Sequence, residues 1–263
     1  EEITKGVLDF LKSYRSGKPF FIWIHYLDPH TPYSAPEKYI KIFEGGLLDI
    51  KNDKILKLNP ENNSRPFQSK GYLPLKAFHK DKYNFNYYVA CYDAEILFTD
   101  SYIGELLKRT NDNTLIILSA DHGESLGEHN EYFTHEANIY DEELRIPLII
   151  KDKRSFKGGK LIPTAVSSVD IVPTIISRIK PFWYFFNKYK FDGHDLNRVV
   201  EGKGIKRSFI YSYYPFGVSI RDINNNFKYI LNNNGKEELY ALPNEDNNLI
   251  NDDSSKMLAI KSE

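Results

Sequence analysis

NTLIILSADHGESLGEHN, residues 113–130, sets two kinds of chemistry end to end. Leu115 to Ala120 is a continuous apolar run of strand length, the pattern of a strand buried on both faces. Asp121, His122, Glu124, Glu128 and His129 follow at once, with turn signals at Gly123, Gly127 and Asn130. Open α/β sheets place their ligand sites beyond the carboxyl ends of strands. The stretch therefore predicts the fold class and a site together.

Upstream, Tyr88, Tyr92, Ile96, Thr99, Ile103 and Leu106 recur at steps of three and four, which predicts a long helix with one core face. A helix feeding a buried strand is the order expected of an α/β domain. Further upstream, EEITKGVLDFLKSY (1–14) carries Ile3, Val7, Phe10 and Leu11 at helical spacing, and Gly17 and Pro19 stop it. PFFIWIHY (19–26) reads as a second buried strand of a parallel sheet, ended by the prolines of DPHTPYSAP (28–36). Residues 41–80 have no sustained period, and NPENNSRP (59–66) is turn-rich, so this segment reads as a long irregular surface excursion.

Downstream, RIPLIIK (145–151) predicts a strand and SSVDIVPTIISRI (167–179) a short helix. Beyond residue 180, SFIYSYY, GVSIRD, NFKYILN and KEELYAL are short, separated by Gly and Asn turns, and predict an antiparallel sheet. The expected organisation is an α/β region over 1–180, with the excursion inside it, and a small α+β subdomain over 181–263.

Thirty-five Lys and Arg against 36 Asp and Glu give no charge excess to attract nucleic acid or an anionic membrane, so a charged ligand must be met locally. The single cysteine, Cys91, excludes an internal disulfide and a thiolate metal cluster. FFIWI and LIILSA are too short to span a bilayer. Together these predict a soluble globular protein. The chain opens EEITKGVLDFL, with no initiator Met and no signal-like segment, and is expected to be part of a longer polypeptide. Localisation is left open.

An Asp oxygen beside an imidazole nitrogen is half of a divalent-cation site when both leave a strand-to-loop turn, and suits Ca²⁺, Mn²⁺ or Zn²⁺. In the plain structural alternative, Asp121 caps the turn and His122 bonds a backbone carbonyl. A second polar cluster, His25, Asp28 and His30, follows FFIWI, and His135 lies a few residues past the first cluster.

The run YDAEILFTDSYIGELLKRTNDNTLIILSADHGESLGEHNEYFTHEANIYDEELRIPLII (92–150) resembles the sulfatase family of the alkaline phosphatase superfamily. KPFFIWIHYLDPHTPYSAPEKY, SSVDIVPTIISRI, FDGHDL and the final strands resemble the same family, so the likeness covers nearly the whole chain, weakest over 41–80. It implies an alkaline-phosphatase-like sandwich, with a mostly parallel central sheet between helices and a small C-terminal antiparallel sheet. The implied metal ligands are Asp121 and His122, holding a divalent cation, Ca²⁺ first and Mn²⁺ or Zn²⁺ as alternatives. His30 would bond the sulfate ester and protonate the leaving oxygen, and His135 would contact the sulfate. His25, Glu124 and His129 are expected behind these groups, with Glu128 bracing the loop.

The family's Cys/Ser-x-Pro-x-Arg nucleophile motif and its earlier acidic metal ligands are missing from these residues. Cys91, mid-helix, reads as core, and Ser34 in SAPEK has Lys38 where the motif needs Arg. The expectation is an incomplete, C-terminal portion of a sulfuric ester hydrolase, inactive alone, partnered by the N-terminal half and acting on a small-molecule or carbohydrate sulfate ester. The competing readings are a phosphoryl or phosphonate ester hydrolase or transferase of the same superfamily, and a non-catalytic chain that keeps only the fold.

Overall fold

A computed structural model of the chain describes residues 1–44, 53–58, 71–135, 138–153, 158–179, 191–215 and 217–250. In chain order its elements are α1 (Glu2–Ser13), α2 (Glu37–Glu44), β1 (Lys57–Leu58), β2 (Tyr72–Leu73), α3 (Phe85–Leu107), β3 (Ile116–Ser119), β4 (Ser125–Leu126), β5 (Tyr132–Thr134), α4 (Asp141–Leu144), β6 (Leu148–Lys151), α5 (Ile171–Arg178), α6 (Asn197–Val200), β7 (Phe209–Tyr214), β8 (Gly217–Asp222), β9 (Phe227–Asn232) and β10 (Glu237–Ala241). They divide into two compact units, Glu1–Thr114 with Asp121–Ala137, and Leu115–Ala120 with Asn138–Glu263.

The first unit is organised by α3. Tyr88 and Cys91 on this helix pack with Tyr33, Leu56, Leu73, Ala77, Tyr132 and Phe133 in one apolar cluster. The helix is rotated from the periodicity expected of it. Its buried face carries Tyr88, Ala90, Cys91, Ala94 and Glu95, while Ile96 is exposed. A β-branched residue at helical spacing suits either face, and the aromatic rings of Tyr33 and Phe133 fix which one turns inward. The excursion is likewise corrected: Leu56, Leu73 and Ala77 are buried core, not surface. Residues 45–52 and 59–70, including NPENNSRP, lie outside the described residues.

PFFIWIHY is extended, but among the described residues it joins no ladder. Trp23 is 80% exposed, and Phe21 and Leu27 are exposed too. An apolar run becomes a sheet strand only where a neighbour pairs its backbone groups, and the described residues supply none here.

In the second unit β3 pairs with β6 antiparallel, Ile116 opposite Lys151 and Ser119 opposite Leu148. The expected central sheet is mostly parallel; among the described residues the parallel pairing is β1 with β2, two residues long. β7 to β10 form the expected antiparallel meander, in the order β10-β9-β8-β7. Its underside holds an ion network: buried Lys228 reaches Asp141 at 3.0 Å and Glu245 at 2.8 Å, and Arg221 reaches Asp141 at 2.6 Å. Burial raises the pKa of Asp141, but the two cations outweigh it and hold the carboxyl below its ordinary value.

Asp170 ties the same unit together around α5. Its side chain accepts from the backbone N–H of Ser167 (2.8 Å) and of His194 (2.7 Å), and it takes both arms of Arg207 at 2.6 Å. The first of these completes a capping box with Ser167 at the entry to the helix. No described helix is long and apolar enough to cross a membrane.

Candidate active site

The hairpin β4–β5 builds the centre of the site in the first unit. Ser125 sits opposite Thr134 and Leu126 opposite Tyr132, so the residues just outside the open end, Glu124 and His135, face each other. Both side chains are buried, and His135 Nδ1 lies 3.4 Å from each carboxylate oxygen of Glu124. The closed end holds Glu128 and His129 in a tight turn. Gly127 takes φ +122, and a Cβ there would meet the rings of Phe85 and Tyr132 at 3.2 Å, so only glycine fits.

His122 stacks on His135, with ring centroids 4.0 Å apart. His30 also meets His135, edge to face at 4.8 Å. The structure thus collects His30, His122, Glu124 and His135, which come from two segments of chain some ninety residues apart, into one cluster. Asp121 stands at its rim, its side chain 71% exposed and its Oδ1 3.8 Å from His122 Nε2.

Hydrogen bonds set the ring nitrogens. His122 Nδ1 donates to the Gly123 carbonyl at 2.7 Å, and His30 Nδ1 to the Thr31 carbonyl at 2.6 Å. Each neutral ring then keeps its lone pair on Nε2, the nitrogen turned away from the backbone. The backbone contact expected of the plain structural alternative is therefore present at His122, and Asp121 Oδ1 also accepts the His122 N–H at 3.1 Å. Neither contact uses His122 Nε2 or the second oxygen of Asp121. These two donors suit two corners of a divalent-cation site, and among the described residues no third His, Cys, Asp or Glu joins them at ligand distance.

His25 is exposed on the extended segment 19–26, which is not the buried strand expected of it. His129 lies at the closed end of the hairpin with φ +49, the opposite end from Glu124. Cys91 is fully buried, and burial pushes its thiol up to about 11, which keeps it protonated.

Two site residues escaped the sequence reading. Tyr33 is fully buried beside Glu124, and burial, then the Glu124 charge, holds its phenol well above the ordinary value. Glu95 sits on the buried face of α3 and accepts the Ser34 N–H at 2.5 Å. The available signal was a glutamate at helical spacing from Tyr88 and Cys91, since buried carboxylates are rare without a partner.

The model of a family described as sulfatase matches residues 1–180. The uncharacterised sulfatase YidJ of Escherichia coli K12 is 28% identical over 269 residues, 95% of this chain and 51% of that protein. An arylsulfatase of Clostridium perfringens is 26% identical over 272 residues, 97% of this chain and 54% of that protein. The crystal structure of a phosphonate monoester hydrolase of Agrobacterium radiobacter shares the fold, with a TM-score of 0.70 at 20% identity over 98% of this chain and 59% of that one. The chain spans about half the length of the curated relatives it matches.

Proposed function

This chain belongs to the sulfatase family of the alkaline phosphatase superfamily, and we propose that it supplies the leaving-group side and half of the metal site of a sulfuric ester hydrolase. The observation that carries this reading is the contact of three imidazoles, His30, His122 and His135, with Glu124 buried behind them. A polar cluster of that density, exposed on one side at His30 and Asp121, is suited to a tetrahedral anion and not to packing.

Asp121 and His122 Nε2 would hold a divalent cation, Ca²⁺ first with Mn²⁺ or Zn²⁺ as alternatives, which when bound withdraws charge from the sulfuryl oxygens. The remaining work falls to the chain's own side chains. His30, with Nδ1 fixed on Thr31, presents Nε2 outward, and in its protonated form delivers a proton from that nitrogen to the departing ester oxygen. His135 is oriented by Glu124 and offers a donor to a sulfate oxygen. The nucleophile lies outside these 263 residues, since the family motif is missing from them and Cys91 is a buried, protonated thiol.

The test is hydrolysis of 4-nitrophenyl sulfate by this chain and by any longer polypeptide of the same gene, with and without EDTA. Metal-dependent turnover by the longer polypeptide and none by the chain alone is expected. Steady turnover by the 263 residues alone overturns the placement of the nucleophile. A phosphonate monoester run in parallel decides the competing substrate class, because a tetrahedral phosphonate offers the same oxygens to the same donors.

A further inference from the structure

The loop that carries His30 runs from Asp28 to Ser34 through two prolines, and the prolines supply no backbone N–H to anchor it. Its internal contacts are local: His30 N–H donates to Leu27 O at 2.9 Å, and His30 Nδ1 to the neighbouring Thr31 O. Tyr33 packs into the core against Tyr92 and Phe133, and a polar anchor to the loop comes from a side chain on α3. Glu95 Oε1, on α3, accepts the Ser34 N–H at 2.5 Å across a separation of 61 residues. The charge of Asp28, at the loop's other end, is felt at the same Glu95 carboxyl and raises its pKa. One buried group therefore bonds one end of the loop and feels the charge at the other, with His30 between them.

Placing a carboxyl there is costly. Glu95 is 1% exposed, and burial of an ionised carboxylate without a cation is strongly unfavourable. Its Oε2 forms no hydrogen bond among the described residues, so a proton on Glu95 relieves the cost of burying its charge. Burial first and then Asp28 push the pKa of Glu95 up to about 7, against the N–H groups of Ser34 and Ala35, which lower it. Core packing alone would be served by an apolar side chain at this helix position. A buried carboxyl gives direction: a helix of 23 residues holds it rigidly, and it fixes the loop through its bond to the Ser34 N–H.

We propose that Glu95, through the bond it accepts from the Ser34 N–H, is a positioning residue that holds the Asp28–Ser34 loop so that His30 meets His135. This rests on the functional reading above only in what it says about turnover. Glu95 touches no reacting atom, and its effect passes through the loop.

The experiment compares Glu95→Gln, Glu95→Ala and Asp28→Ala with the parent chain by amide hydrogen exchange over residues 28–35 and by the NMR signal of the His30 imidazole. Gln keeps an acceptor for Ser34, so E95Q should match the parent. E95A should speed exchange of the Ser34 amide by roughly 10-fold or more and shift the His30 signal. D28A, at a partly exposed position, should do so to a smaller degree and serves if E95A fails to fold. In the polypeptide that turns over, E95A should lower kcat for an aryl sulfate roughly 10- to 100-fold with KM little changed, and E95Q should restore it. An unmoved Ser34 amide and His30 signal in both alanine variants overturns the proposal, as does E95Q as damaged as E95A. Absence of turnover in every protein would refute the functional reading while the exchange and NMR arms still decide Glu95.

Discussion

The imidazoles of His122 and His135 stack with centroids 4.0 Å apart and planes inclined by 22°. Thirteen residues separate them, and the β4–β5 register brings them together. One ring belongs to the proposed metal pair and the other lies against Glu124, so under the proposed function the stack would couple the metal side of the cluster to the anion side. His135→Ala should therefore weaken metal binding as well as turnover. His30→Ala, whose ring touches His135 but not the metal pair, should lower kcat by about 10²- to 10⁴-fold and leave metal binding unchanged. Calorimetric titration with Ca²⁺ beside aryl sulfate kinetics separates the two.

Two ligands hold a hard cation poorly. The 263-residue chain should bind Ca²⁺ with a Kd of about 10⁻³ M or weaker, and Asp121→Ala should remove even that. In the polypeptide that turns over, the same variant should abolish hydrolysis; unchanged turnover would remove Asp121 from the site.

Asp170 is fully buried and carries Arg207 on both oxygens. Burial raises its pKa, but Arg207 and the N–H groups of His194 and Ser167 outweigh burial and lower it from the ordinary 3.8. The unfolded chain then binds the proton more readily, so this group's stabilisation is present above about pH 4 and is lost as pH falls through the folded value. Asp170→Asn should lower the unfolding free energy by about 3 kcal/mol at neutral pH, since it strands a buried guanidinium. Urea titration at pH 7 and at pH 3 should show the gap between variant and parent closing in acid.

Glu95 shifts stability the other way. Glu95 keeps a proton up to about pH 7 in the fold against an ordinary 4.5. Its contribution is therefore complete below about pH 4.5 and declines as pH rises to about 7. Glu95→Gln, which cannot ionise, should flatten that stretch of the stability profile measured by thermal melts.

Gly193 lies against the backbone of the turn before α5, where a Cβ would stand 2.0 Å from the Val169 carbonyl oxygen and 2.9 Å from the Asp170 N. Backbone cannot swing aside as a side chain can. Gly193→Ala should cost several kcal/mol, on the order of the largest point-mutant effects, and should also loosen the His194 N–H to Asp170 bond. Soluble yield and melting temperature report it, and a parent-like melt would contradict the close approach.

Much of the site was legible in residue order. DHGE after an apolar run and HTP after another announced polar chemistry at strand ends, because a rigid apolar segment followed by turn formers and ligating side chains has few other uses. The C-terminal meander was legible from its short alternating runs and Asn or Gly turns, which encode local pairing. Ladder direction and helix rotation were not. Apolar runs such as Ile116–Ser119 and Phe20–Tyr26 look alike in sequence, yet one pairs antiparallel with β6 and the other joins no described strand.

The sequence by itself determined which chemical groups this protein has and the family they belong to, since those depend on residue type and spacing along the chain. Only the tertiary structure decided that Glu124 lies beside His135, that His30 closes on the same ring, and that Glu95 takes the Ser34 N–H at the end of the His30 loop. Such pairings depend on hairpin register and on which face of α3 turns inward. Both are settled by the packing of rings such as Tyr33, Tyr88 and Phe133, which meet only once the chain has folded.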